Sequence, residues 1–226
     1  MRQELWIEWV GLWGSGKTTS INSCSSYFED AGYSVNKTTN YLSRRRLSKV
    51  LEVLSLSPHV LFSSIKLLFL LLPTYINARL KTNTVLIDEL RSFLSCYIAR
   101  ICAVNDCDGD ITLWEGEFHL LPILGLKKIE VEKVIDLLFS INSNRDNIFI
   151  ILDIDIELAK SRIIKDQDNG ENLRFPKSQM KAALEYFNTF HEAQDYLVKS
   201  LRKRGAKVYE GDGDISDIKN FIRLNS

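Results

Sequence analysis

The chain has 226 residues, long for one average domain and short for two, so a single domain (1–226) carrying an insertion is the expectation. Its 45% hydrophobic and 26% charged residues, with 11 Gly and 4 Pro, exclude disordered, collagen-like and disulfide-scaffold classes. Lys plus Arg and Asp plus Glu number 29 each, so no global basic field binds nucleic acid and any anion site is local.

In chain order, residues 1–10 mix charges with apolar side chains, show no signal-peptide pattern, and read as a first strand at 5–10. A Gly-rich turn leads into a helix over about 17–31, closed by Gly32 as its left-handed stop. Residues 34–37 form a short second strand. A mostly helical insertion then spans 43–104, expected to break around Pro58 and Pro73. Within it, residues 60–72 are strongly apolar but too short to span a bilayer, since thirteen helical residues rise only about 20 Å. A buried helix is the expectation there, and a homodimer contact or a peripheral membrane contact are the alternatives, with Arg44, Arg45 and Arg46 upstream.

The segment TNTVLIDEL ends in an acidic pair and tempts a strand assignment. Leu86, Leu90, Phe93, Leu94, Tyr97, Ile98, Ile101 and Cys102 instead repeat with a helical period, which makes Asp88, Glu89 and Arg91 solvated helix positions. The acidic residues 105–110 form a turn, lacking the glycine and glutamate positions of a calcium loop. A strand at 111–114, a helix over 128–139, and the continuous apolar run 148–152 follow, the last typical of a strand buried on both faces. A helix at 157–165, a polar loop at 166–176, a long helix at 177–204 ended by Gly205, a strand at 207–209 and a closing helix at 215–224 complete the chain. This alternation implies an α/β fold with a parallel sheet between helical layers. Cys24, Cys96, Cys102 and Cys107 lack metal or dithiol spacing and suit reduced thiols in a cytoplasmic setting.

The strongest chemical signal is Gly11-Leu12-Trp13-Gly14-Ser15-Gly16-Lys17-Thr18, a full G-x-x-x-x-G-K-[ST] between a strand and a helix. Glycines let backbone N–H groups close around phosphate oxygens, and the helix N-terminus adds its own donors and dipole. Gly11, Gly14, Ser15 and Gly16 form that cradle. Lys17 supplies a point charge to the terminal phosphates, Thr18 a hydroxyl ligand for Mg²⁺, and Thr19 follows in the first turn. Such a site needs a carboxylate at a neighbouring strand end. Glu115 ends ITLW, with Gly116 behind it, and is expected to serve catalysis and the metal; His119 at the same rim is an acceptor-binding candidate. Arg162 and Arg174 are candidates to neutralise charge during phosphoryl transfer, Arg174 from a loop able to close.

Together the phosphate loop, Trp114-Glu115-Gly116-Glu117-Phe118-His119 and Leu152-Asp153-Ile154-Asp155-Ile156-Glu157 resemble the thymidylate-kinase-like branch of the P-loop nucleoside and nucleotide kinases. The resemblance implies a three-layer P-loop NTPase fold with a five-stranded parallel sheet of order 2-3-1-4-5. It also implies an arginine-bearing LID at 166–176, ATP and Mg²⁺ as cofactors, and a small-molecule acceptor, a nucleoside or nucleotide. Gly211 and Gly213 correspond to the family's adenine-side loop. Two positions depart from the family: Trp114 stands where an aspartate is usual, and TTNYLSRRR replaces the arginine-bearing turn after the second strand. Arg44 to Arg46 are therefore candidates for meeting some other anionic acceptor. A kinase of a sugar or lipid-linked precursor, and a nucleotide-gated switch ATPase, are the alternative functions.

Overall fold

The computed structural model describes residues 5–42, 58–105, 110–124, 126–141, 146–168 and 180–225. Five strands, β1 (Leu5–Gly11), β2 (Val35–Lys37), β3 (Ile111–Trp114), β4 (Asp146–Leu152) and β5 (Lys207–Gly211), form one sheet of order 2-3-1-4-5. All four strand pairs are parallel, which is the α/β architecture anticipated from the alternation of elements. Gly11 pairs in register with Leu152, and Leu152 with Gly211, so β1, β4 and β5 end flush along one edge of the sheet. That edge is where open parallel sheets bind ligands.

Alternation along β1 divides the core. Leu5, Ile7 and Trp9 pack with Ile21, Cys24 and Phe28 of α1 (Lys17–Asp30) and with Ile218 and Ile222 of α8 (Ile215–Asn225). On the opposite face, Val10 joins a larger cluster built from α3 (Pro58–Leu80), α4 (Thr84–Asn105), α5 (Lys128–Ile141) and α7 (Met180–Lys203). A short α2 (Thr38–Leu42) follows β2, and α6 (Ile156–Asp168) follows β4.

The insertion differs from expectation in four ways. First, α3 runs straight through Pro73. Proline there removes a donor to the carbonyl of Phe69, but both residues lie on the exposed side, while Leu67, Leu71 and Ala78 anchor the helix on its buried side. The break comes instead at residues 81–83, where Thr82 adopts φ +51° and Asn83 Oδ1 accepts the Leu86 N–H at 3.0 Å to open α4. Second, residues 60–72 are not a buried core segment: Leu67 and Leu71 are covered, but Leu61, Phe62, Ile65, Leu68, Phe69 and Leu72 are exposed. The helix is also longer than the apolar run suggested, and Val60–Leu80 is long and apolar enough to cross a membrane by length and composition.

Third, Glu89 is buried, whereas Asp88 and Arg91 are in solvent and paired at 2.9 Å. Fourth, α2 begins at Thr38, ahead of the expected start of the helical stretch. Downstream, α6 extends to Asp168 over the first positions of the expected LID; residues 169–176 lie outside the described residues. Cys24, Cys96 and Cys102 are buried, and Cys107 lies outside the described residues.

Candidate functional site

The phosphate loop leaves β1 at Gly11 and enters α1 at Lys17. A Cβ on Gly11 would lie 2.8 Å from Ser15 Oγ and 3.0 Å from the Leu152 carbonyl. Gly14 (φ +76°) and Gly16 (φ +88°) both occupy the left-handed region, which an L side chain resists. A side chain on Gly14 would also strike the Ala159 carbonyl of α6 at 2.8 Å, whereas beside Gly16 nothing lies within 4 Å. Gly16 is the N-cap of α1 and no side chain caps that helix, so its opening turn presents donors without a side-chain acceptor. This is the arrangement that receives phosphate oxygens. Ser15 is buried, Thr18 and Thr19 are exposed, and the buried Lys17 donates from Nζ to the carbonyls of Gly11 (3.0 Å) and Leu12 (2.8 Å).

Glu115, just past β3, meets the loop. Thr18 Oγ1 donates to Glu115 Oε2 at 3.2 Å, and Lys17 Nζ lies 3.7 Å from Oε1. The acid is held by its backbone, because its N–H donates to the hydroxyl of Thr38 at 2.6 Å. Thr38 was not visible as a site residue from sequence, since it acts through a contact 77 positions away in the chain. Arg162 approaches from α6 and donates from Nη1 to the Gly14 carbonyl at 3.1 Å. The LDIDIE segment aims that helix: Asp155 Oδ1 caps it by accepting the Leu158 N–H at 2.9 Å, and the Asp153 N–H bonds the Gly211 carbonyl at 2.9 Å.

Gly11, Gly14, Ser15, Gly16, Lys17, Thr18, Glu115 and Arg162 are thus brought together. His119 is not at an open rim; it is buried in the 3-10 turn Glu117–His119. Gly211 ends β5 along the same edge, where a Cβ would lie 2.5 Å from the Tyr209 hydroxyl, so a side chain there would have to displace that ring. Gly213 has φ +96°. Arg44, Arg45, Arg46 and Arg174 lie outside the described residues.

Trp114 points away from the loop into the core, its ring centroid 4.9 Å from that of Trp6 and 6.2 Å from that of Tyr41. It shares a face with Glu8, its register partner on β1. An acid at position 114 would enter this aromatic layer rather than the phosphate site, so the tryptophan leaves Glu115 as the carboxylate that reaches the loop. Behind it, Arg100 of α4 donates from Nε and Nη2 to the two oxygens of Glu117, each at 2.9 Å, and from Nη2 to Glu8 at 2.5 Å. All three are at most 1% exposed. The guanidinium sits 5.0–5.6 Å from the rings of Trp6, Trp114 and Phe118. Burial pushes the Glu8 carboxyl up to about 7, with Arg100 opposing that shift. Although burial works against its charge, Glu117 and Glu8 hold Arg100 above the ordinary arginine value. None of these partners was legible in the sequence.

Comparison with known proteins adds likeness and little more. No family model and no curated protein matches the chain. Among solved structures, deoxyadenosine kinase from M. mycoides with bound dATP is 14% identical, covering 98% of this chain and 100% of that one, with a TM-score of 0.43. The same enzyme with bound dCTP is 16% identical, covering 97% and 96%, with a TM-score of 0.45. A third form, with dCMP and a flexible dCDP, is 16% identical, covering 97% and 95%, with a TM-score of 0.44. Likeness of this degree says nothing of this chain's substrate.

Proposed function

We propose that this chain is an ATP-dependent phosphotransferase that moves a γ-phosphoryl group to a small-molecule acceptor. The observation that carries the reading is the convergence of Thr18 Oγ1 (3.2 Å) and Lys17 Nζ (3.7 Å) on the carboxylate of Glu115. A P-loop hydroxyl beside a strand-end carboxylate is a pair of hard oxygen donors suited to Mg²⁺. When bound, that ion would neutralise charge between the phosphates.

The chain's own residues supply the rest. The left-handed glycines and the opening turn of α1 bind and orient the triphosphate. Lys17 exchanges its contacts with the Gly11 and Leu12 carbonyls for terminal phosphate oxygens. Arg162, which donates to the Gly14 carbonyl of the loop, offsets the charge of those oxygens as it spreads. Glu115 accepts the proton of an acceptor hydroxyl or orients the acceptor. The resemblance in WEGEFH and LDIDIE favours a nucleoside or nucleotide as that acceptor, in the manner of the thymidylate-kinase-like branch, with ATP's adenine on the Gly211–Gly213 side. Arg174 and Arg44 to Arg46 join this reading from sequence alone, as groups for the transferring phosphate and an anionic acceptor.

A product screen with labelled ATP over nucleosides, monophosphates and sugars tests it. Lys17→Ala is expected to lose both nucleotide affinity and transfer, and Glu115→Gln to lose transfer while nucleotide binding persists. Tight ATP binding with slow hydrolysis and no phosphorylated product would make the chain a nucleotide-gated switch instead.

A further inference from the structure

Two acids share the segment Trp114-Glu115-Gly116-Glu117, and the structure separates their duties. Glu115 reaches the phosphate loop, whereas Glu117, two residues on, is fully buried. Its carboxylate accepts three donors: Arg100 Nε on Oε1 at 2.9 Å, and Arg100 Nη2 (2.9 Å) and Trp114 Nε1 (3.1 Å) on Oε2. A carboxylate has about four lone-pair sites, so little is left over for a metal or a substrate proton. Glu117 is withdrawn from direct chemistry, and its value lies in what it holds.

The bond from Trp114 spans the acid. It joins residue 114 to residue 117 across the two residues between them, with the indole lying over Gly116, whose added Cβ would stand 1.9 Å from Nε1. Residues 114–117 thus form a turn closed by a side-chain clasp, and Glu115 is its first inner position. Both ends are fixed. Trp114 pairs in register with Glu8, the second carboxylate on Arg100, and the Glu117 carbonyl accepts the Leu120 N–H at 2.9 Å to close the 3-10 turn. Arg100 is braced in turn by the insertion, since Tyr97, one turn back along α4, meets Ser64 of α3 at 2.9 Å. Held in this way, the turn delivers the Glu115 N–H to Thr38 Oγ1 at 2.6 Å and its carboxylate to Thr18 and Lys17. We infer that Glu117 is a positioning residue: clasped by Trp114 and Arg100, it sets the direction of Glu115 and so the place of that acid's oxygens beside the Mg²⁺ that Thr18 helps to hold. Outer partners of this kind tune a metal's ligands without touching the metal. The inference deepens the phosphotransfer reading and rests on it for the task of Glu115. It also assigns a role to Trp114, which stands where the resembling kinases usually carry aspartate: its indole N–H closes the turn.

Electron paramagnetic resonance of Mn²⁺ bound with a non-hydrolysable ATP analogue tests the inference on the full-length protein, beside steady-state transfer. Glu117→Gln leaves one acid for one base in the cluster, so it is expected to fold, as checked by circular dichroism, and to bind the analogue as the wild type does. Its Mn²⁺ spectrum is expected to shift toward that of Glu115→Gln, in which the carboxylate ligand is missing. In transfer, kcat should fall about 10–100-fold while KM for ATP holds. Trp114→Phe keeps the ion cluster and removes only the indole donor, so it should move the spectrum the same way and decides the matter if Glu117→Gln does not fold. The double variant Glu115→Gln with Glu117→Gln should give the spectrum of Glu115→Gln alone. Wild-type spectra in folded Glu117→Gln and Trp114→Phe, an equal fall in analogue affinity, or a further spectral change in the double variant would each overturn the inference. A wild type whose Mn²⁺ spectrum depends on Glu115 but which phosphorylates no acceptor would sink the phosphotransfer reading alone, and the spectra would still decide the role of Glu117.

Discussion

Arg100 grips both carboxylate oxygens of Glu117 at 2.9 Å, fixing a residue only two positions past Glu115. The grip joins α4 of the insertion to the turn that aims the site's acid. Glu117 is held from a second side by Trp114 Nε1, which donates to it at 3.1 Å, so the last residue of β3 and the insertion meet on one carboxylate. With Glu8 as a third member the cluster carries two acids for one base, all of them removed from water.

Truncating the base is therefore costly. Arg100→Met leaves two buried acids without their cation and is expected to lower unfolding free energy by about 3–5 kcal/mol, measured by urea denaturation. Arg100→Lys recovers only part of this, because an ammonium cannot reproduce the two-pronged contact. Replacing the cluster together, with Arg100→Met, Glu8→Leu and Glu117→Gln, should be milder than Arg100→Met alone. A single variant as stable as the wild type would show that the charges are not buried in solution.

Glu8 predicts a pH dependence of definite sign. Its carboxyl rises from the ordinary 4.5 to about 7 on folding because burial disfavours its charged form. Between these values the folded chain binds more protons than the unfolded one, so the Glu8 contribution to stability falls as pH rises from about 4.5 to about 7 and is flat above. Glu8→Gln, which mimics the protonated acid, should remove that fall. Urea midpoints at pH 5 and pH 8 for both proteins isolate it; a decline identical in the two would assign the effect elsewhere.

Gly116 is required by its neighbour's ring and not by its backbone, whose φ is −133°. A Cβ there would lie 1.9 Å from Trp114 Nε1 and 2.4 Å from Cδ1. Gly116→Ala is expected to rotate the indole, break its bond to Glu117 and destabilise by about 1–3 kcal/mol. Transfer activity falls with it, since Glu115 lies between the two displaced residues. Trp114→Phe removes the offending edge, so the double variant should lose less than the sum of the single losses in a mutant cycle. Strict additivity would mean that the two positions do not collide.

What the sequence disclosed follows from how local each requirement is. The left-handed glycines, Lys17 and Thr18 are fixed by one turn of chain, the parallel sheet follows from elements that alternate, and its order 2-3-1-4-5 was implied by the resemblance, so these were legible. Glu115 was legible because a strand end next to a phosphate loop is a topological position. Glu8 was not: one acid inside LWIEWVG carries no mark of a partner 92 residues away. The direction of Trp114 was hidden for the same reason, its packing being set by Trp6 and Tyr41 from other elements. The exposure of α3 escaped because a helix apolar on all sides has no hydrophobic phase from which to tell an inner face from an outer one.

Thr38 gives the sharpest test of how the acid is held. Its hydroxyl accepts the Glu115 N–H at 2.6 Å and lies 3.5 Å from the Leu113 carbonyl, so it clamps the backbone on both sides of Trp114. Thr38→Val keeps the shape and removes the acceptor, leaving a partly buried N–H without its partner at a cost of about 1 kcal/mol in stability. The loop and Lys17 are untouched, so KM for ATP should hold while kcat drops roughly tenfold, equivalent to about 1.4 kcal/mol on the barrier. Thr38→Ser, which keeps the hydroxyl, should restore turnover. If Thr38→Val transferred phosphate as fast as the wild type, the position of Glu115 would have to be set by its contacts with Lys17 and Thr18 alone.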